Sequence, residues 1–545
     1  MLPPHLNFIR KATVCLHSFI PICADSIAVG MVIFMDITVL MESGPLVLSA
    51  RQGQSLLDVL REHGGLPVHA PCGGQGTCEK CTVYLSGPKG ETAVLACRTP
   101  AKDGMTLRLP SVAPLVVELH GDAAGTLTPD PGLTGYGVAC DIGTTTVVCH
   151  LVELATGRVL ATVGEGNAQR AYGADVIARI RASMDGLCPA LTSAIIEQLS
   201  RMIGELCRSA EISVGDVNRM AVAGNTTMCH LLAGLPPDSI GVAPFTPLSL
   251  FGECHDAKTL SLPFDGEVYI CPAVSGYVGG DITADVLAAG LDRTDVPVLL
   301  IDVGTNGEMA LGCGDKFVCC STAAGPALEG AQIRYGMTAA PGAVSEVRWE
   351  DGKVVCSVIG GGEPVGLCGS GLIDAVAVML DLGVVDETGR MLNSGDDDIP
   401  DLAVPCLFLL EGEAAFRLAG QVAVTQSDVR MLQLAKGAIA AGIRVLMDNC
   451  GADFGQVGEL LLAGGFGSYI RPESAARIGL IPTELLPVTR AIGNAAAQGA
   501  LEALVSAEAQ ARLANLQKTM DYRELSGLPQ FNDVYMDAMM FPEEE

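Results

Sequence analysis

The feature that most constrains this 545-residue chain is a repeat inside it. The segment YGVACDIGTTTVVCHLVELATGRVL begins at residue 136, and VPVLLIDVGTNGEMALGCGDKFVCC begins at 296. Each runs apolar strand, Asp, apolar residue, Gly-Thr, second strand and glycine turn. Further on, DVNRMAVAGNTTM (216–228) matches QVGELLLAGGFGS (456–468). A long helical pattern precedes each, SAIIEQLSRMIGELCRSA in one half and LAKGAIAAGIRVLMDNC in the other. Two such halves predict a duplicated α/β domain over 136–505 with a cleft between its lobes. Lobe I covers about 136–290 and lobe II about 291–505. NAAAQGALEAL (494–504) reads as a closing helix, and 506–545, ending FPEEE, as an acidic surface tail.

A tight turn of small residues between two strands exposes backbone N–H groups that can hold phosphate oxygens. Gly143, Thr144, Thr145 and Thr146 form the first such turn; Gly304, Thr305, Asn306 and Gly307 form the second. Asp141 and Asp302 stand just before them, where a carboxylate can hold Mg²⁺ through its waters. A single turn of this kind is more often a plain β-turn; two at equivalent places in a repeat point to a nucleotide. No GxxxxGK[ST] occurs, which excludes P-loop chemistry. Gly224, Asn225 and Thr226 in AVAGNTTM, and Gly369, Ser370 and Gly371 in GLCGSGLIDAV, are further turns suited to an anion or a nucleotide. The second of these reads equally well as a tight helix cap.

Seen together, the paired hairpins resemble the acetate and sugar kinase, heat-shock chaperone and actin (ASKHA) superfamily. The resemblance implies a two-lobed ATPase in which the hairpins clamp the β- and γ-phosphates. It implies that Gly464, Gly465, Phe466 and Gly467 take the adenosine. It also places Asp281, in SGYVGGDITADVLAAG, where sugar kinases carry a general base. There Asp281 would orient the attacking water or bind Mg²⁺. The alternative is an N-cap Asp contributing about 1 kcal/mol to its helix.

Ahead of this domain lies VHAPCGGQGTCEKCTVYLSG, with Cys72, Cys78 and Cys81, and then Cys97 in VLACRT. The spacing Cys-x5-Cys-x2-Cys-x15-Cys departs by one residue from the plant-type [2Fe–2S] pattern and offers only one of the two Cys-x2-Cys pairs of a zinc ribbon. The glycines let the loop fold tightly over a cluster and aim N–H groups at its sulfurs. Around the loop, DITVL, PLVLSA, TVYLSG, AVLACR and MTLRLP read as strands. SLLDVLREHGG reads as a helix with Ser55 as N-cap, Asp58 at N3 and Gly64–Gly65 at its end. This is the order and size of an α+β β-grasp ferredoxin domain over 36–110. Residues 111–135, rich in Gly, Pro and Thr, read as a linker.

The combination is similar to the ATP-dependent reductive activators of corrinoid proteins. CGGQGTCEKC, GVACDIGTTTV, GADVIARI, AVAGNTTM, SGYVGGDI, LIDVGTNGE, GLCGSGLIDAV and LLAGGFG carry the resemblance across 36–505. It implies a [2Fe–2S] cluster, ATP and Mg²⁺ as cofactors. It implies a corrinoid protein of a methyltransferase system as partner and a low-potential electron donor behind the cluster. A metabolite kinase or an ATP-switched sensor carrying a redox-sensing cluster is the alternative.

Net charge is −29, and no Lys/Arg stripe appears, which argues against a nucleic-acid partner. Sixteen of the 20 cysteines are scattered through apolar stretches such as KFVCCST, as small hydrophobes in a reducing cytoplasm. No apolar run reaches the ~20 residues of a membrane span. Residues 1–35 faintly resemble a signal peptide, and an over-extended frame with a true start at Met31 or Met35 is the simpler expectation. The sequence leaves a homodimer open.

Overall fold

A computed structural model describes residues 34–41, 44–62, 66, 70, 73–76, 80–88, 90–110, 127–304, 306–313, 316–396, 399–467 and 469–543. Expectations for the first 33 residues, for Cys72, Cys78 and Thr305, for most of the linker and for the side chain of Phe466 fall outside the described residues.

Among the described residues, the N-terminal unit is a sheet of β1 (Phe34–Met41), β2 (Gly44–Arg51), β3 (Thr82–Gly87), β4 (Gly90–Leu95) and β5 (Met105–Arg108), in the order β2-β1-β5-β3-β4. The first and last strands run parallel at its centre, as a β-grasp requires. Alternation puts Ile37, Val39, Leu48 and Ala50 inward, against Leu56, Leu57 and Leu60 of α1 (Leu56–Glu62). The foreseen capping box is present: Ser55 Oγ accepts from Asp58 N at 3.2 Å, and Asp58 Oδ2 accepts from Ser55 N at 3.3 Å. The stretch AVLACR does not stay a strand. Residues Ala96–Arg98 make one helical turn, which carries Cys97.

In lobe I, β6 (Tyr136–Ile142), β7 (Thr146–Glu153) and β8 (Arg158–Gly166) form an antiparallel meander. One face is covered by α2 (Val176–Ala182), α3 (Cys188–Ser209) and α4 (Thr226–Leu232), whose Leu191, Ile195, Leu199 and Met228 pack on Val138, Cys140 and Cys149. Strand β9 (Val217–Gly224) runs parallel to β6, followed by β10 (Cys254–Asp256) and β11 (Glu267–Ile270). Helix α5 (Gly280–Ala289) then leads to lobe II.

There β12 (Val298–Val303), β13 (Gly307–Cys313) and β14 (Lys316–Thr322) repeat the meander. Small sheets follow: β15 (Ala343–Glu350), β16 (Lys353–Val358) and β17 (Gly366–Leu367), then α6 (Gly369–Asp381), then β18 (Leu407–Leu410), β19 (Glu413–Ala419) and β20 (Val422–Thr425). Helix α7 (Gln426–Cys450) precedes β21 (Glu459–Ala463), which runs parallel to β12 as β9 does to β6. The short α8 (Gly464–Gly467) and α9 (Pro472–Arg477) lead to β22 (Thr489–Gly493), parallel to β21. The two lobes therefore share strand order and direction, which is the duplication expected from the repeat.

Two boundaries differ from expectation. Helix α10 (Ala495–Val505) lies within the stretch read as lobe II but packs on lobe I. Its Ala496, Ala500, Leu501 and Leu504 share a core with Ala139, Val152 and Ala221. The residues read as a surface tail form α11 (Ala507–Thr519), β23 (Met520–Tyr522) and α12 (Phe531–Met539). Strand β23 is the sixth strand of the lobe II sheet, parallel to β14, and α12 lies along α7. Leu513, Leu516, Met520 and Phe541 are the buried apolar residues that pull this stretch inward.

Helices α5 and α10 pack on each other between the two sheets. The scattered cysteines Cys140, Cys229, Cys271, Cys319 and Cys320 are buried free thiols, and desolvation pushes all of them up. Among the described residues, no helix is long and apolar enough to cross a membrane.

Candidate functional site

The turn between β6 and β7 is bolted to one stretch of lobe I through three successive carbonyls. Gly143 O accepts from Asn167 Nδ2 at 2.8 Å, Thr144 O from Arg179 Nη2 at 2.5 Å, and Thr145 O from Asn167 N at 2.8 Å. With its carbonyls turned into the protein, the turn has its N–H groups and hydroxyls left for the cleft. Asn225, the N-cap of α4, donates from Nδ2 to Thr144 Oγ1 at 3.0 Å. Thr145 Oγ1 donates across the lobes to Glu329 Oε2 at 2.6 Å, so a hydrogen bond links the two lobes at the cleft.

Opposite stand Asp302, Val303, Gly304 and Asn306 of the second turn, with Gly464 and Gly465 behind them. Gly464 has φ +87°, and a Cβ there would lie 2.1 Å from Asp302 Oδ1. Only glycine lets the backbone pass the carboxylate so closely. The cleft, counted to its open mouth, encloses about 940 Å³.

Five carboxylates converge on its floor: Asp141, Asp281, Asp285, Asp302 and Glu308. Burial raises all of them, and repulsion from neighbouring carboxylates adds to the rise in Asp141, Asp285, Asp302 and Glu308. Asp281 is pushed up to about 6, Asp141 to about 7 and Asp302 to about 8, while Asp285 and Glu308 stand well above the usual carboxylate range. Asn494 Nδ2 donates to Asp141 Oδ2 at 3.0 Å and partly offsets the rise. Asp285 is fully buried, and neither of its oxygens has a donor. It abuts Asp302, a pairing that only a shared proton or a cation satisfies. Among the described residues, no Lys or Arg lines the cleft. A polyphosphate can enter so acidic a site only with a divalent cation, and the oxygen-only donor set suits Mg²⁺. The residues present fit that ion.

The predicted residues divide. Asp141, Gly143, Thr144, Thr145, Thr146, Asn225, Asp281, Asp302, Gly304, Asn306, Gly464 and Gly465 line one cleft. Gly224, Thr226, Gly307 and Gly467 lie beside it in the supporting elements: Thr226 Oγ1 donates to Ser275 O at 2.6 Å, and Gly307 opens β13. Asp281 is not the N-cap of α5; Gly279 is, and the Asp281 carboxylate accepts from Ile282 N at 2.9 Å. Gly369, Ser370 and Gly371 do not line the cleft. A Cβ at Gly369 would sit 1.8 Å from Leu328 O and one at Gly371 2.4 Å from Val344 O, while Ser370 Oγ donates to Ser345 O at 2.8 Å. These residues serve close packing in the first turn of α6, whose N-cap is Cys368.

Sequence reasoning passed over Asp285, Glu308 and Asn494. Asp285 lies one turn beyond Asp281 on α5, so helical spacing was the available signal. Asn494 was hidden by its second role as N-cap of α10, where Oδ1 accepts from Ala497 N.

In the N-terminal unit, Cys81 and Cys97 face each other with their sulfurs 3.3 Å apart. Gly73, Gly74 and Gly76 all have positive φ, the tight loop foreseen around a cluster. The Arg98 guanidinium closes over Gly76 and donates to Gln75 O. Two converging thiols under a glycine loop fit one iron of a [2Fe–2S] cluster.

Residues 42–102 match the 2Fe-2S iron-sulfur cluster binding domain, 136–294 the RACo middle region, and 296–545 the C-terminal domain of RACo, the ASKHA domain. The chain is 38% identical over 424 residues to the corrinoid activation enzyme RamQ of Eubacterium limosum, covering 74% of this chain and 70% of that protein. It is 27% identical over 451 residues to the [Co(II) methylated amine-specific corrinoid protein] reductase of Methanosarcina barkeri, covering 74% and 77%. A solved structure of a reductive activator for corrinoid, iron-sulfur protein superposes with a TM-score of 0.69 at 28% identity, over 94% of this chain and 99% of that one. With a cluster-binding domain, a RACo middle region and an ASKHA domain in one chain, this protein belongs to the family of reductive activators of corrinoid proteins.

Proposed function

We propose that this chain reactivates a corrinoid protein of a methyltransferase system, coupling ATP hydrolysis to one-electron reduction of Co(II) to Co(I). The observation that carries this reading is the union, in one chain, of a two-hairpin cleft over five carboxylates with a domain presenting paired thiols under a glycine loop. A bound cluster, held by Cys72, Cys78, Cys81 and Cys97, supplies single electrons near about −400 mV. Asp141 and Asp302, with Asp285 beside them, would hold a magnesium ion, which would supply charge neutralisation for the triphosphate. The N–H groups of residues 143–146 and 304–307 receive the β- and γ-phosphates, and Gly464 and Gly465 take the adenosine side. Asp281, with its carboxyl raised to about 6, is poised near neutrality to orient and deprotonate the attacking water.

A Co(II)/Co(I) couple below the cluster potential makes the transfer uphill, by roughly 2.3 kcal/mol for each ~100 mV. Closure of the lobes over ATP, across the Thr145–Glu329 bond, is the motion available to offset it. A low-potential reductant restores the cluster, and the protein acts within the cytoplasm.

The test is anaerobic. Reduced, cluster-loaded protein is mixed with Co(II)-corrinoid proteins of the same organism, with and without Mg-ATP, and the visible spectrum is followed. Co(I) appearing only with Mg-ATP is the expected result. An intact cluster spectrum with no Co(I) from any partner would overturn the proposal and favour a redox-regulated kinase or sensor.

A further inference from the structure

The ferredoxin domain does not hang free of lobe I in this structure. Arg61, in the last turn of α1, donates from Nε to Ala171 O at 2.6 Å, and its guanidinium lies 5.2 Å from the centroid of the Tyr172 ring. Tyr172 returns a bond from its hydroxyl to Arg61 O at 3.3 Å. Gly73, in the cluster loop, lies beside the Tyr172 carbonyl, where a Cβ would sit at ordinary contact distance, 3.6 Å from it. Both side chains at this joint are largely withdrawn from water, Arg61 to 8% and Tyr172 to 6% exposure.

The residues that receive α1 belong to the same stretch that fastens the first phosphate turn. Asn167, which takes Gly143 O and Thr145 O, is the N-cap of the one-turn helix Ala168–Ala171, and Tyr172 is its C-cap. Arg179, which takes Thr144 O, also donates from Nε to Gly173 O at 3.0 Å. That guanidinium is fully buried and, among the described residues, bonds to carbonyls, the Gln169 side chain and the Met228 sulfur rather than to any carboxylate. A buried arginine spent on backbone carbonyls holds two pieces of chain in fixed relation. The turn and the ferredoxin joint thus lie at opposite ends of one seven-residue segment, 167–173, which is tied internally by bonds from Gln169 N to Asn167 Oδ1, Arg170 N to Asn167 O and Tyr172 N to Gln169 O.

We propose that the Ala171–Tyr172 face of lobe I is a nucleotide-responsive dock for the protein's own ferredoxin domain, and that Asn167 and Arg179 are the positioning residues linking dock to phosphate turn. The occupant is α1, which the structure seats there with Gly73 beside it. When the turn shifts to wrap a phosphate, its three carbonyls carry 167–173 with them, and the bonds to Arg61 lengthen or reorient. The dock rests on nucleotide binding at the turn, part of the function proposed above.

Hydrogen–deuterium exchange on the cluster-loaded full chain tests it, with and without Mg²⁺ and a non-hydrolysable ATP analogue, beside calorimetric titration of the same analogue. The expected result is a nucleotide-dependent change at 141–146 together with a change of about threefold or more at 56–62 and 168–173. In Arg61→Ala the response at 56–62 disappears while the analogue's affinity stays within about twofold. Tyr172→Leu, on the other side of the joint, gives the same loss and covers the case in which R61A fails to fold. Binding by calorimetry with no change at 56–62 overturns the dock alone, as does a response that survives both variants. An absence of binding by calorimetry overturns the ATP-dependent function and the dock with it.

Discussion

Lys436, on α7, is 1% exposed, and among the described residues no carboxylate pairs with it. Its ammonium donates to Met540 O and lies 5.1 Å from the Phe541 ring, so it pins the last turn of the chain to lobe II. Burial pushes this group down from the usual 10.5 to about 7. Below pH 7 both folded and unfolded chains carry the proton, and the burial penalty is present in full. Between about 7 and 10.5 the folded chain gives up the proton while the unfolded chain keeps it, so stability rises with pH through that window. The whole gap, at 1.36 kcal/mol per pH unit, sets a ceiling of about 5 kcal/mol, of which about 2.7 kcal/mol falls between pH 7 and 9. Lys436→Met keeps the stem and removes the ammonium; the donor it takes from Met540 O has a cost that does not vary with pH. The assay is urea unfolding at pH 6.5, 7.5, 8.5 and 9.5, followed through Trp349. This is the chain's single tryptophan, and it is half-buried against the lobe II core. Wild type is expected to gain on the variant by about 2–3 kcal/mol from pH 7 to 9. A difference that stays flat within about 0.5 kcal/mol refutes the reasoning.

Three further outcomes follow from the cleft and its supports. Gly464→Ala places a methyl 2.1 Å from Asp302 Oδ1 at φ +87°, and calorimetry should show Mg-ATP affinity falling about tenfold or more; an unchanged affinity removes this glycine from the site. Gly369→Ala drives a methyl to 1.8 Å from Leu328 O, and Trp349-detected unfolding should show lobe II weakened by about 1–3 kcal/mol, with no change if that packing is loose. Without metal, the raised carboxyls of Asp141 and Asp302 hold protons that the unfolded chain has released, so stability falls as pH rises from about 4 to 8. Mg²⁺ should accordingly raise the Tm by scanning calorimetry more at pH 8 than at pH 6, and equal increments would contradict the carboxylate assignment.

What the sequence revealed was local. The strand–Asp-x-Gly-Thr–strand signal lies within about 20 residues, and both copies fold as expected, with β9 and β21 beside them as the second repeat predicted. The Ser55–Asp58 capping box is likewise a three-residue pattern. What stayed hidden depends on partners distant in sequence. Nothing near Met520 announces that β23 will pair with β14, or that Ala496 and Ala500 will pack on Ala139 and Ala221. Gly369–Ser370–Gly371 misled for a different reason: a glycine that lets a helix approach a carbonyl and a glycine that lets a backbone approach a phosphate are the same residue. Asp285 became visible only once the phase of α5 was known.

The return of α10 to lobe I also governs the order in which the molecule can be made. Strands β6 and β9 leave the ribosome early, yet the apolar face carrying Ala139, Val152 and Ala221 is closed by residues 496–504. At ~5–20 residues per second, that face waits on the order of tens of seconds for its cover. Lobe I is therefore an unfinished core until distant elements are made, and these complete both halves: α10 seals the first sheet, and β23 ends the second. A chain stopped before residue 495 keeps every phosphate-binding residue named above and still lacks the helix on which α5 rests.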